Sequence, residues 1–146
     1  MSARTDYAIR AVAHLAAAGD GPVRAEDIAR SQGIPPKFLH DILGDLRAAR
    51  ILRSQRGPDG GYLLARPAAE LTLGEVVRAI DGPLASVHEL SLRDAQYPGA
   101  AEQLVVVWKA MRTALRSVFD EVTFADLANG PLPAHVVAMA AEYDRS

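Results

Sequence analysis

The stretch that decides the fold is residues 27–36, which read DIARSQGIPP. Ala29 is small enough to let two helices approach, Gly33 permits a tight turn, and Ile34 can fill the space between the helices. Pro36 suits the first position of a following helix, because the N–H that it lacks is not needed there. The stretch therefore predicts a helix-turn-helix, although an ordinary helical hairpin with a glycine turn has the same parts.

Hydrophobic residues recur at helical spacing on both sides of this stretch and predict three helices. The first covers residues 3–18, the second covers residues 25–32, and the third runs from Pro36 to about Arg50. The third helix has a broad apolar face, which we expect to be buried. That face consists of Phe38, Leu39, Ile42, Leu43 and Leu46.

Polar side chains stand at the front of the third helix, away from its apolar face. They are Lys37, His40 and Asp41. The second helix of a DNA-binding helix-turn-helix lies in the major groove and presents such side chains to base edges. His40 could equally be an ordinary surface histidine, so its role depends on the helix-turn-helix.

A β-hairpin follows directly, with strands predicted over residues 51–56 and 62–65. The turn between them reads RGPDGG, and glycine or an Asp-Gly pair supplies the positive φ angles that a hairpin turn needs. A hairpin in this place is a wing, a second contact with nucleic acid, and it favours DNA binding over an ordinary helical hairpin. The candidate contacts in the turn are Arg56, Gly57, Gly60 and Gly61.

Four arginines at three-residue spacing, with no acidic residue among them, cover the end of the third helix and the first strand. They are Arg47, Arg50, Arg53 and Arg56. A guanidinium fork matches phosphate oxygens, and an arginine at the tip of a wing can enter a narrow minor groove. Arg56 is the strongest candidate, whereas the other three could simply form a solvated surface.

The charge distribution agrees with a first half that meets DNA. The 146-residue chain has a net charge of −2, but residues 1–66 carry ten basic and seven acidic side chains and residues 67–146 carry six and eleven. A basic segment joined to an acidic one indicates contact with phosphate, although charge runs are more often solvated faces. No apolar run approaches the ~20 residues that span a bilayer, so we expect a cytoplasmic protein.

The sequence offers no support for catalysis or for a metal site. The chain has no cysteine, which excludes disulfides and thiolate-bound clusters. It has no nucleophile-elbow, phosphate-loop or zinc-protease motif, and its four histidines, His14, His40, His88 and His135, are scattered. We therefore expect neither an enzyme nor a bound cofactor.

The second half opens with a capping box of Thr72 and Glu75, which begins a helix that ends at Gly82-Pro83. A long helix is predicted from about Gly99 to Val122, and its apolar side chains alternate in steps of four and three, as in a coiled-coil contact. They are Leu104, Trp108, Met111, Leu115, Val118 and Val122. A helix buried in its own domain is the alternative, but dimerisation is favoured because helix-turn-helix proteins commonly read two half-sites as dimers.

These elements predict a mainly α-helical protein with a small β-hairpin, organised in four segments. Residues 1–83 form a winged helix-turn-helix and residues 84–98 a linker or sensor region. Residues 99–128 form a dimerisation helix with a turn, and residues 129–146 a C-terminal extension.

Several segments resemble the Rrf2 family of bacterial winged helix-turn-helix regulators, which includes the iron–sulfur cluster regulator, the nitric-oxide-sensing repressor and the cysteine-metabolism repressor. The most specific is RGPDGGYLLARP at 56–67, and DYAIR at 6–10, LTLGEV at 71–76 and IDGPL at 80–84 also match. The resemblance implies a homodimer with crossing long helices on an inverted-repeat operator, with recognition helices in major grooves and a wing arginine in the minor groove. The lack of an evident activation region favours a repressor.

The chain departs from this family at the sensor. Cluster-binding relatives hold three cysteines where this chain has Glu89, Tyr97 and Gln103. Tyrosine and glutamine are poor iron ligands, so the resemblance carries over the DNA-binding function and not the cofactor. With His88 these residues could line a site for a small effector, or they could be solvated linker residues. Another departure is Arg24, at a position where a helix-capping serine is usual.

Two functions remain open. One is a DNA-binding transcriptional regulator controlled by a small molecule or by a protein. The other is a winged-helix module that binds a protein partner and not DNA. The spaced arginines and the glycine-rich wing favour the first, because a protein-binding module would not need them.

Overall fold

The computed structural model describes residues 1–83 and 92–146. Over these residues the chain forms seven α-helices and one antiparallel sheet of two strands, which confirms the predicted fold class. The helices are α1 (Ala3–Ala18), α2 (Ala25–Gln32), α3 (Pro36–Ala48), α4 (Leu73–Asp81), α5 (Leu104–Phe119), α6 (Phe124–Asn129) and α7 (Ala134–Arg145). The strands are β1 (Leu52–Gln55) and β2 (Gly61–Leu64). Within the described ranges, every helix is too short or too polar to cross a membrane.

The turn between α2 and α3 has the geometry that its sequence predicts. Gly33 is left-handed with a φ of 64°, and the amide of Ile34 donates to the carbonyl of Ala29 at 3.0 Å. Ile34 is buried and packs with Ile28 and Leu46 in the core shared by the first three helices. Burial of each such aliphatic side chain stabilises the fold by about 1.5–3 kcal/mol, so this core fixes the angle at which α3 is presented.

The third helix ends two residues earlier than predicted. Its last helical residue is Ala48, because Arg50 adopts a φ of 61° and the amide of Ile51 bonds back to the carbonyl of Leu46 at 3.0 Å. This is the left-handed helix cap that glycine usually occupies. An arginine is therefore held there in a conformation that costs a residue with a Cβ about 1–2 kcal/mol.

The prediction that Phe38 is buried is wrong. Its side chain is 57% exposed, whereas Leu39, Ile42 and Leu43 are buried. Phe38 stands one position before the buried face begins, and its ring meets that of Tyr7 at the edge of the core, 6.5 Å between centroids.

The wing is the antiparallel pair of β1 and β2, and its register joins Leu52 to Leu64 at the base. Its positive φ angles, 107° and 155°, fall at Gly57 and Gly61 and not at the Asp-Gly pair that the sequence suggested. The reason is that the turn is closed by the amide of Gly60, which donates to the carbonyl of Gly57 at 3.0 Å, so the left-handed residues flank the turn.

The long helix is shorter than predicted at both ends. A separate 3₁₀ turn occupies Gly99–Ala101, and α5 begins only at Leu104. The helix stops at Phe119, and Val122 lies beyond it with 2% of its surface exposed. Val122 belongs to the interior of its own chain, so the prediction that it lies on a dimer contact is wrong.

After α5 the chain returns to the winged-helix core. A capping box of Thr123 and Asp126 opens α6, which packs against α1. Phe124 is completely buried there. The predicted dimerisation segment of residues 99–128 is therefore not one unit. Its helix α5 lies apart from the core, whereas α6 packs into the core.

Candidate nucleic-acid interface

A groove of about 800 Å³ lies between the start of α2, the outer face of α3 and the wing. Its charged and polar walls are formed by Arg24, Glu26, Asp27, Arg30, His40 and Arg56. The N-terminus of α2 has no side-chain cap and adds the positive end of a helix dipole at the same place. The structure thus brings a candidate from α3, His40, beside the strongest candidate from the wing, Arg56.

The guanidinium of Arg56 is exposed and available to a ligand. Arg30 is paired with Asp27, whereas Arg56 has no ion pair or hydrogen bond within residues 1–83 and 92–146. A paired arginine must break an internal contact before it binds phosphate, but an unpaired one need not. Arg56 is therefore the cation of this groove best suited to meet an oxyanion.

The wing is fastened to the base of α2 by backbone and side-chain bonds. Val23 and Tyr62 exchange two backbone hydrogen bonds of 3.0 and 2.8 Å, and the guanidinium of Arg24 donates to the carbonyl of Pro58 at the wing tip. A Cβ at Gly61 would lie 2.5 Å from the carbonyl oxygen of Val23, so only glycine allows this approach. The position of Arg56 relative to α3 is thereby fixed by the fold.

Sequence reasoning did not assign Arg24 or Arg30 to this groove. The signal for Arg24 was present, because an arginine stands at the N-cap of α2, where serine would cap the helix. In the structure its side chain does not cap the helix and bonds to the wing instead. Arg30 carried no comparable signal, since it occupies an ordinary exposed position of α2.

The front of α3 is exposed as predicted, but only part of it lines the groove. Lys37, His40 and Asp41 are all exposed. His40 reaches the groove, whereas Lys37 and Asp41 lie on the surface of α3 outside its walls. The contact of all three with DNA remains a prediction.

The four spaced arginines do not form one surface. Arg56 lines the groove, but Arg53 lines a separate cavity of about 710 Å³ together with Asp20 and Arg66. Arg47 donates to the hydroxyl of Ser54 at 3.4 Å. The spacing of three spans a helix end and a strand, which turn the side chains in different directions. Arg53 therefore lies outside the groove that Arg56 lines.

The predicted dimer helix has an apolar face that the described part of the chain covers only in part. Within the described chain none of the side chains of α5 is buried. Met111 is 41% exposed and Val107 is 54% exposed, while Leu104, Trp108, Leu115 and Val118 are partly buried. Apart from the displaced Val122, the predicted contact residues thus lie on one accessible helix.

The structure describes two of the four candidate effector residues. His88 and Glu89 lie outside the described residues. Tyr97 is partly buried and Gln103 is exposed, one residue before α5. The chain supplies no thiolate, and Tyr97 and Gln103 offer only a phenol and an amide, so these residues do not fit an iron–sulfur cluster.

An ion-pair network of Arg78, Asp120 and Arg116 connects α4 to the end of α5. The hydrogen bond from Arg78 lowers the pKa of Asp120 below its usual range, burial opposes this effect, and Arg116 adds to it. The same hydrogen bond raises the pKa of Arg78. The carboxylate of Asp120 is thus held in its charged form between two guanidinium groups.

Comparison with known proteins gives one consistent result. The Rrf2 family model, described as an iron-dependent transcriptional regulator, matches residues 1–130. A predicted HTH-type transcriptional regulator of Mycobacterium tuberculosis is 51% identical over 144 residues, which cover 98% of this chain and 89% of that protein.

Solved structures agree with this match. CymR, the global cysteine regulator of B. subtilis, superposes with a TM-score of 0.73 at 29% identity and covers 88% of this chain and 95% of its own. T. potens IscR superposes with a TM-score of 0.71 at 29% identity, covering 87% of this chain and 84% of its own.

Proposed function

The chain belongs to the Rrf2 family of transcriptional regulators, and we propose that it acts as a homodimeric repressor that binds an inverted-repeat DNA operator. The single observation that carries the DNA-binding proposal is the groove in which unpaired Arg56 faces His40 of α3. α3 enters the major groove, and the wing carries Arg56 to the adjacent minor groove. The bonds that fix the wing to α2 support this, because they hold both contacts at a constant spacing.

The homodimer is supported by the apolar face of α5. Five of the six predicted contact residues lie on that helix; within the described chain Met111 is exposed and the other four are only partly buried. Apolar side chains at heptad spacing that are left partly uncovered are typical of a helix that packs against another helix. Two copies joined through α5 present two recognition helices, which is the arrangement that reads two half-sites.

The proposal includes no iron–sulfur cluster and no catalytic activity. Relatives that bind clusters use thiolates, and this chain has none to offer. The signal then enters through a small molecule, a protein partner or the concentration of the regulator itself. A repressor of bacterial genes acts in the cytoplasm, where its operator lies.

A winged-helix module that binds only protein is the second candidate, and salt-dependent DNA binding separates the two. If the dimer contacts six to ten phosphates, its affinity for a DNA duplex falls by roughly 10³–10⁵ between 50 and 200 mM salt. Retention on heparin and elution by salt give a first indication of a surface that binds nucleic acid. Fluorescence-anisotropy titrations of a labelled duplex at several salt concentrations then measure how steeply the affinity falls with salt.

The matched variants are Arg56→Ala and Arg53→Ala, which remove the same kind of side chain from two separate cavities. Arg56→Ala is expected to weaken DNA binding, whereas Arg53→Ala, in the separate cavity, is expected to change it little. A wild-type chain that fails to bind duplex DNA at 50 mM salt would favour the protein-binding module.

A further inference from the structure

A third cavity, of about 510 Å³, lies beside α5. It is lined by Leu92, Arg93, Lys109, Arg112, Thr113 and Arg116. The four residues from α5 lie at positions i, i+3, i+4 and i+7, so they form one stripe of the helix, turned away from the apolar stripe of Met111 and Leu115. Of the described residues that line this cavity, four are cationic and none is acidic.

Much of this positive charge has no counter-charge in the described part of the chain. The Nε–H of Arg116 donates to the carboxylate of Asp120 at 2.9 Å. Lys109 and Arg112 form no ion pair within residues 1–83 and 92–146. Two adjacent cations without a carboxylate between them repel each other, and this repulsion favours uptake of an anion.

Arg112 also carries a buried donor without an acceptor. Its Nε atom is inaccessible to solvent and has no hydrogen-bond partner among the described residues. Buried donors are almost always paired in proteins, because an unpaired one loses its bonds to water and gains none in return. The lining of the cavity therefore carries uncompensated charge, and one of its guanidinium groups has a buried donor without a partner.

We propose that this cavity binds a small molecule that carries a carboxylate or a phosphate. Arg112 and Lys109 donate charge-assisted hydrogen bonds to its oxygens, and the hydroxyl of Thr113 supplies a neutral donor. Leu92, 4% exposed, contributes an apolar wall. The volume falls in the range of about 300–1,000 Å³ that is common for small-molecule sites.

A bond network leads from this cavity to the winged-helix domain. Arg116 lines the cavity and bonds to Asp120, which in turn is paired with Arg78 of α4. An anion that drew Arg116 away from Asp120 would weaken the connection between α5 and α4. Control of DNA binding by this route rests on the proposed function, whereas occupancy of the site does not.

The test is calorimetric titration of the full-length protein, without DNA, with citrate and with inorganic phosphate at ionic strength matched by sodium chloride. We expect saturable binding of one anion per chain for at least one probe, and the probe that binds identifies the class. Arg112→Gln is expected to lower the affinity by about tenfold or more. Arg145→Gln removes the same charge from the end of α7, outside the cavity, and is expected to leave the affinity unchanged.

Three results would overturn the proposal. The first is a heat change that sodium chloride alone reproduces. The second is equal affinity of the wild type and Arg112→Gln for the probe. The third is that the wild type binds neither probe and Arg112→Gln loses self-association. The last would show that the stripe contacts a second copy. Circular dichroism of Arg112→Gln, together with partial recovery of binding in Arg112→Lys, separates lost binding from lost folding.

Discussion

The guanidinium of Arg78 on α4 holds the carboxylate of Asp120, at the end of α5, at two points: Nη1 lies 2.7 Å from Oδ1 and Nη2 lies 2.8 Å from Oδ2. The contact between Nη2 and Oδ2 is a charge-assisted hydrogen bond, whereas the contact between Nη1 and Oδ1 is an ion pair without hydrogen-bond geometry. The pair joins the helix of the winged domain to the helix that we propose forms the dimer. Loss of this pair should therefore lower the free energy of unfolding and loosen the attachment of α5 to α4.

Asp120→Asn should lower the free energy of unfolding at pH 7 by about 1 kcal/mol, because the pair is partly exposed. The folded-state pKa of Asp120 is lowered, so its contribution is complete above the ordinary pKa of about 3.9 and is lost as pH falls through the lowered value. Urea unfolding of wild type and variant from pH 7 to pH 3 should show a difference that narrows below about pH 4. A difference that stays constant across this range would exclude the ionised pair as its source.

Gly74→Ala should destabilise the protein by up to about 1 kcal/mol, because it displaces a partly exposed ion pair. An added Cβ would lie 2.1 Å from Oδ1 of Asp120 and 2.8 Å from Nη1 of Arg78, so the ion pair would have to move. Gly44→Ala in α3 is the matched control, because its Cβ would meet no atom within 4 Å. That control should gain about 0.5–1 kcal/mol from helix propensity, and equal effects in thermal unfolding would contradict the packing argument.

Arg24→Ser should separate stability from DNA binding. Serine can cap α2, which raises the free energy of unfolding by up to about 1 kcal/mol, but the bond to the carbonyl of Pro58 is lost. We expect faster hydrogen exchange at the amide of Gly60 and weaker binding to duplex DNA, with a melting temperature equal to wild type or higher. Exchange and affinity that both remain at wild-type values would show that Arg24 does not position the wing.

Met111→Glu should dissociate the dimer. A charge placed in a closed apolar contact has no partner and costs several kcal/mol, and DNA binding should weaken with it because a single half-site is held weakly. Val137→Glu on α7 is the control, since Val137 is also exposed but lies outside the heptad positions. Sedimentation velocity measures both, and a Met111→Glu protein that remains dimeric would place the dimer contact elsewhere.

The parts of the fold that depend on local chemistry could be predicted from the sequence. Gly33 and Ile34 specify the turn of the helix-turn-helix, and the capping box of Thr72 and Glu75 places the start of α4. In each case the bond that fixes the element joins residues at most five positions apart. Contacts between residues so close in sequence can be predicted from the residue types at those positions.

The parts that depend on distant contacts could not be predicted in this way. The heptad pattern continued to Val122, but α5 ends at Phe119 and the chain then turns back to α1 through Phe124, which leaves Val122 only 2% exposed. The even spacing of Arg53 and Arg56 likewise hid the fact that strand and turn point these side chains into different cavities. Both outcomes depend on which surfaces meet in space, and spacing along the chain does not encode that.

The most direct test of the central claim is selection of genomic DNA fragments by the purified protein, followed by sequencing and footprinting. The account predicts that the retained fragments share an inverted repeat whose half-site centres are about 10 bp apart or a multiple of it. It also predicts that Arg56→Ala loses this enrichment while Arg53→Ala keeps it. Fragments without a common sequence, or the same enrichment with both variants, would contradict recognition of DNA by the groove between α3 and the wing.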